Sequence, residues 1–167
     1  MSDSKVNKKE LSSLYNGCDI ADIWQASLNL KVIVHPNLGK ITPNHFRSMH
    51  NGKLCPFCAK RMVHGQSTYS TQSKQEAIDR DYHYMDAQGN TTFNRIGNRY
   101  FHPHYVTLDH KLNKARFPEK MFDYDNLQAV CWKCNCIKSD NNAFELLHDL
   151  KYIQELSISA FDRYPIL

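Results

Sequence analysis

Two cysteine pairs constrain this chain more than any other feature: Cys55-Pro-Phe-Cys58 and, far downstream, Cys131-Trp-Lys-Cys134. A two-residue spacer lets both sulfurs of a pair turn toward one ion, and two such pairs make the four-thiolate set of a tetrahedral structural zinc site. A site of this kind can contribute on the order of 10 kcal/mol to folding, enough to hold a small domain together across a long intervening segment. The competing readings of the same cysteines are free buried thiols or a redox Cys-x-x-Cys motif. Cys136 complicates the set, because Cys131, Cys134 and Cys136 cannot all join Cys55 and Cys58 around a four-coordinate ion. Spacing favours Cys134 and leaves Cys136 as the alternative ligand; Cys18 reads as a core thiol.

The bulk properties limit the setting. A chain of 167 residues, 41% apolar and 23% charged, is an ordinary globular composition with room for one moderate core and some appendages. It lacks the run of about 18 apolar residues that a membrane span needs, and its first residues lack the apolar stretch of a secretory signal. Both point to the cytoplasm, where paired cysteines more often hold metal than form disulfides. The net charge of +4 suits a polyanionic partner without demanding one.

Pattern divides the chain into an N-terminal extension over 1–53, a core over 54–142 and a C-terminal helix over 143–167. Apolar spacing from Ile20 to Leu30 predicts a short helix, and Val32-Ile33-Val34 a strand. Residues 35–52, rich in His, Asn, Pro and Gly, read as loop. The polar segment at about 64–100 reads as an insertion with a hairpin around Gln88-Gly89-Asn90. Tyr100–Leu108 reads as a strand arriving at Asp109-His110, and Leu127–Cys131 as a second short strand leading into a helix. Ala143, Leu146, Leu147, Leu150, Ile153 and Leu156 share one face of a last helix, which is expected to start at an Asn142/Glu145 capping box and to pack on the core.

Zinc leaves Asp109, His110, Asn126 and Asn135 unexplained. Taken singly, each has an ordinary use: a surface dipeptide, a turn residue, a helix cap. Their joint order, framed by the cysteine pairs, resembles the HNH (ββα-metal, His-Me finger) nuclease superfamily. There a strand ends in Asp-His, a loop carries an Asn, and a short strand leads into a helix bearing a final His or Asn. The matching pieces are VTLDH, DNLQAVCWKCN and KSDN, and NCIKSDN also resembles the HNH stretch of the RNA-guided CRISPR nucleases.

The resemblance implies an α+β fold: a ββα-metal core with a four-cysteine zinc site and flanking helices. It implies that His110 is the general base, that Asn126 orients its imidazole by hydrogen bonding, and that Asp109 and Asn135 hold one Mg²⁺ or Mn²⁺. Lys138 would be a phosphate contact, with Lys60, Arg61, Lys111, Lys114, Arg116 and Lys133 as further candidates. His102 and His104, flanking Pro103, either reach this site from the incoming strand or are structural.

The activity so implied is metal-dependent hydrolysis of DNA phosphodiester bonds, on double-stranded DNA. Double-strand cleavage would need a dimer, two successive nicks or a partner, and no base-reading element is recognisable. Restriction, homing, phage packaging and toxin action all use this unit, and the single-domain length leans toward a phage, mobile-element or restriction setting. Sequence specificity would have to reside in the first 50 residues or in the 64–100 insertion. The rival from another class is a zinc-stabilised nucleic-acid-binding module without catalysis, and a further one is an inactive relic used for protein interaction.

Overall fold

The computed structural model describes residues 17–139, 141 and 143–163. The fold is mixed α and β. Helix α1 (Gly17–Ser27) leads into a small hairpin, β1 (Ile33–His35) with β2 (Gly39–Ile41), and then helix α2 (Pro43–Ser48). The stretch read as loop therefore holds two elements. Its helix carries a start signal: Thr42 caps it by accepting from the His45 amide at 3.0 Å, and Pro43 sits in the first turn.

The polar insertion is a folded unit. Helix α3 (Gln66–Tyr69), β3 (Ser70–Thr71), α4 (Lys74–Asp79), β4 (His83–Met85), β5 (Thr91–Ile96) and β6 (Arg99–Phe101) form an antiparallel four-stranded sheet in the order β3-β6-β5-β4. The expected hairpin joins β4 to β5, its turn held by Asp86, whose Oδ1 accepts from the amides of Gln88 and Asn90 at 2.9 and 2.8 Å. The insertion leaves where it entered. Val63 bridges Tyr105 in parallel, donating to the His104 carbonyl at 3.0 Å and accepting from the Val106 amide at 2.9 Å.

Strand β7 (Val106–His110) then pairs antiparallel with β8 (Leu127–Cys131), from Val106 opposite Cys131 to His110 opposite Leu127. Helix α5 (Trp132–Lys138) follows β8 without a linker. The single strand expected over 100–108 is thus two, β6 and β7, because His102-Pro103-His104 turns the chain between them. The core gathers around this hairpin: Val106, Leu127, Ala129 and Val130 pack with Ile33, Ile41, Phe46 and Met62, and the buried cysteines belong to the same cluster.

Helix α6 (Phe144–Arg163) does not pack on the core along its length. None of its residues is buried, and Leu146, Leu147, Leu150 and Ile153 are each more than half exposed. Among the described residues its first turns dock, Phe144 and His148 placing their rings edge-on to Phe57 at 4.9 and 5.3 Å. Asn142, and with it the expected capping box, lies outside the described residues, as do Asp140 of the KSDN piece and the Cys18 side chain. No helix among the described residues is long and apolar enough to cross a membrane.

Candidate functional site

The two cysteine pairs converge. The sulfurs of Cys55, Cys58, Cys131 and Cys134 all lie within 4.8 Å of one another. The first pair sits on a tight knuckle, with the Cys55 amide donating to the Lys60 carbonyl at 2.8 Å and Ala59 held at φ 54°. The second pair comes from the junction of β8 and α5. Cys134 belongs to the cluster and Cys136 is exposed outside it, which resolves the choice that spacing left open.

The chemistry of this donor set fits a dication. Cys55 is held far below the usual thiol range by hydrogen bonds from Cys131 and Cys134, while the same contacts push Cys134 far above it. A four-thiolate site carries four negative charges and needs a cation among them. The Cys131 amide donates to Cys55 Sγ at 3.5 Å, and His104 Nδ1 lies 3.4 Å from Cys131 Sγ. His104 therefore serves the cysteine cluster. His102 accepts from the His104 amide at 2.9 Å and packs against Tyr82, so neither histidine reaches Asp109-His110.

Toward the His110 end of β7 lies a small cleft of about 110 Å³, lined among others by Asp109, His110, Asn135 and Lys138. The hairpin and the helix directly after it bring these residues together from distant points in sequence. His110 is buried, and its Nε2 lies 2.9 Å from the Met121 carbonyl. A carbonyl only accepts, so Nε2 carries the proton and Nδ1 keeps the lone pair. Trp24 packs against the imidazole at 4.8 Å between centroids. Burial, with Lys114 and Lys138 nearby, lowers the His110 pKa from 6.5 to about 4, so the ring is neutral at neutral pH.

Asn126 does not touch the imidazole, contrary to the role expected from the resemblance. Its Nδ2 donates to the carbonyls of Lys120 and Leu112 at 3.0 and 3.2 Å, and its Oδ1 accepts from the Leu112 amide at 2.8 Å. Asn126 instead closes the 111–125 loop, and that loop delivers the Met121 carbonyl to His110. Its effect on the ring is indirect.

Asp109 pairs in register with Gln128, whose Nε2 donates to Asp109 Oδ2 at 2.9 Å. Lys138 Nζ donates to the same oxygen at 2.6 Å, to the His110 carbonyl at 3.0 Å and to Glu145. Three acceptors account for all three ammonium protons, and Lys138 is 2% exposed. The expectation that Lys138 contacts phosphate is therefore corrected: its ammonium braces the hairpin, helix α5 and helix α6 from inside. Glu145 and Gln128 are the site residues that sequence reasoning missed. The signal for Gln128 was its place opposite Asp109 across the hairpin.

The Asn135 amide donates from Nδ2 to Thr107 Oγ1 at 3.0 Å, which leaves its carbonyl oxygen as the acceptor for anything in the cleft. Asp109 uses Oδ2 for both bonds above, and among the described residues none is made by its second oxygen. A carboxylate and an amide oxygen suit a hard cation such as Mg²⁺ or Mn²⁺. No family model, curated protein or solved structure matches this chain.

Proposed function

We propose that the cleft is the active site of a metal-dependent endonuclease of the HNH type, which hydrolyses DNA phosphodiester bonds. The observation that carries this reading is the state of His110: a neutral imidazole with Nε2–H fixed on the Met121 carbonyl and Nδ1 left as a base, in a cleft shared with two oxygen donors. Nδ1 takes the proton of an attacking water, and the fixed Nε2 hydrogen bond keeps the ring oriented and steadies the imidazolium that results. Asp109 and Asn135 would hold a divalent ion, which would supply Lewis-acid stabilisation of the charge at the phosphate. Lys114, at the cleft and lying over the Trp24 ring at 5.9 Å, takes the phosphate role first given to Lys138. Zinc on the cysteine cluster would hold the β8–α5 junction from which Asn135 projects.

One observation favours the second reading, a zinc-stabilised nucleic-acid-binding module without catalysis. The Lys138 ammonium already neutralises Asp109. A supercoiled-plasmid nicking assay separates the two. With Mg²⁺ or Mn²⁺ the wild type is expected to convert supercoiled to open-circular DNA, and EDTA or His110→Ala to abolish conversion. DNA retention in a gel by a folded, zinc-loaded wild type that never nicks would establish the binding module instead.

A further inference from the structure

A second cavity, of about 400 Å³, opens where the insertion meets the N-terminal part of the chain. Two guanidiniums line it, those of Arg47 from α2 and Arg99 from β6, and no acidic residue does so among the described residues. Arg47 is half-buried, donates from Nη2 to Asn44 at 2.5 Å, and has a buried Nε with no hydrogen-bond partner. Among the described residues no carboxylate pairs with it. Burial without a counter-charge lowers its pKa, so the folded chain holds a cation whose charge is incompletely satisfied. Arg99 is pre-set beside it, donating to Ser70 Oγ at 2.9 Å.

The cavity is also aromatic. Phe101 packs on Tyr105 and on Trp132, each at 5.2 Å between centroids, and the Trp132 ring is only partly covered. Gln66 and Asn98 bring side-chain amides, which both donate and accept. Guanidiniums without a counter-ion call for an anion, a partly open indole calls for a planar ring, and amides recognise the edge of a heterocycle. A cavity of this volume lies within the range of small-ligand sites.

We propose that this cavity binds one unpaired nucleotide of a nucleic-acid strand, with its phosphate on Arg47 and Arg99 and its base against Trp132. The assignment of that strand to the substrate rests on the nuclease reading; the chemistry of the cavity does not. Trp132 opens α5 and Lys138 closes it, so the two sites lie toward opposite ends of one seven-residue helix. At about 1.5 Å of rise per residue, six steps span about 9 Å, a separation that a few nucleotides of one strand can bridge. The same strand can occupy both.

The chain has two tryptophans, so a Trp24→Phe protein reports on Trp132 alone. Thymidine 5′-monophosphate and a short oligothymidylate are expected to quench its fluorescence saturably, and inorganic phosphate to compete without quenching. Arg99→Ala should weaken nucleotide binding by about tenfold, the loss of one charge-assisted hydrogen bond. Ile96→Glu, on the rim at a position 62% exposed, should do the same through repulsion without touching the core. Absence of quenching by either nucleotide probe, or quenching indifferent to both substitutions in folded protein, overturns the proposal. Inorganic phosphate binding as tightly as the mononucleotide overturns the base-stacking part. Quenching in the Trp24→Phe protein beside a wild type that never nicks plasmid would sink the nuclease reading and leave this site standing; nicking by the wild type without quenching in the variant would do the reverse.

Discussion

At the scale of single residues, the imidazole of His110 is the group whose environment departs furthest from water in a direction that matters to the chemistry. Its pKa falls to about 4 from 6.5. Between those values the unfolded chain binds a proton that the native protein does not, so native stability is unaffected above pH 6.5 and declines as pH falls below it. From pH 7 to pH 5 the wild type should lose about 2 kcal/mol more than His110→Asn, read from urea melts in Mg²⁺-free buffer. Parallel curves would mean that the ring is not desolvated. Which side chain touches His110 was not legible in the sequence. Order and spacing drew Asp109, His110 and Asn135 into one site, but Asn126 reaches backbone atoms of a loop whose path no periodicity records. Lys138 read as a phosphate contact because its partners, Asp109 and Glu145, meet it only once β7, α5 and α6 are assembled.

At the scale of elements, strand β8 was readable because Leu127–Cys131 is a compact, largely apolar run, four of its five residues buried. The loop reading of 35–52 failed for the opposite reason: elements of three to six residues are too short to show a period, and only the Thr42-Pro43 cap marks the helix. Helix α6 shows the limit of amphipathic pattern, which predicts an apolar face and cannot say what covers it. With Leu150 54% and Ile153 58% exposed, the double substitution Leu150→Asp, Ile153→Asp should leave unfolding free energy within about 1 kcal/mol of wild type. A loss of several times that, in a denaturant melt of the monomer, would show that this face is packed in solution.

At the scale of the whole molecule, the cysteine cluster ties the knuckle after α2 to the junction before α5, across the entire insertion. Cys134→Ser should therefore release the metal and lower the melting temperature sharply. Cys136→Ser, outside the cluster, should change neither metal content nor melting temperature. Metal-to-protein stoichiometry and thermal melts on the two variants decide it; equal losses would mean that the ligand sets interchange. The meeting of Val63 with Tyr105 has a consequence of another kind. A segment whose two ends emerge side by side can be lost, lengthened or traded between lineages without moving the hairpin that carries Asp109 and His110. Residues Gln66, Asn98 and Arg99 travel with that segment, while the cleft stays behind. Under the proposed function, change in what the protein would grip and change in what it would cut with could thus be inherited separately, on two different parts of one gene.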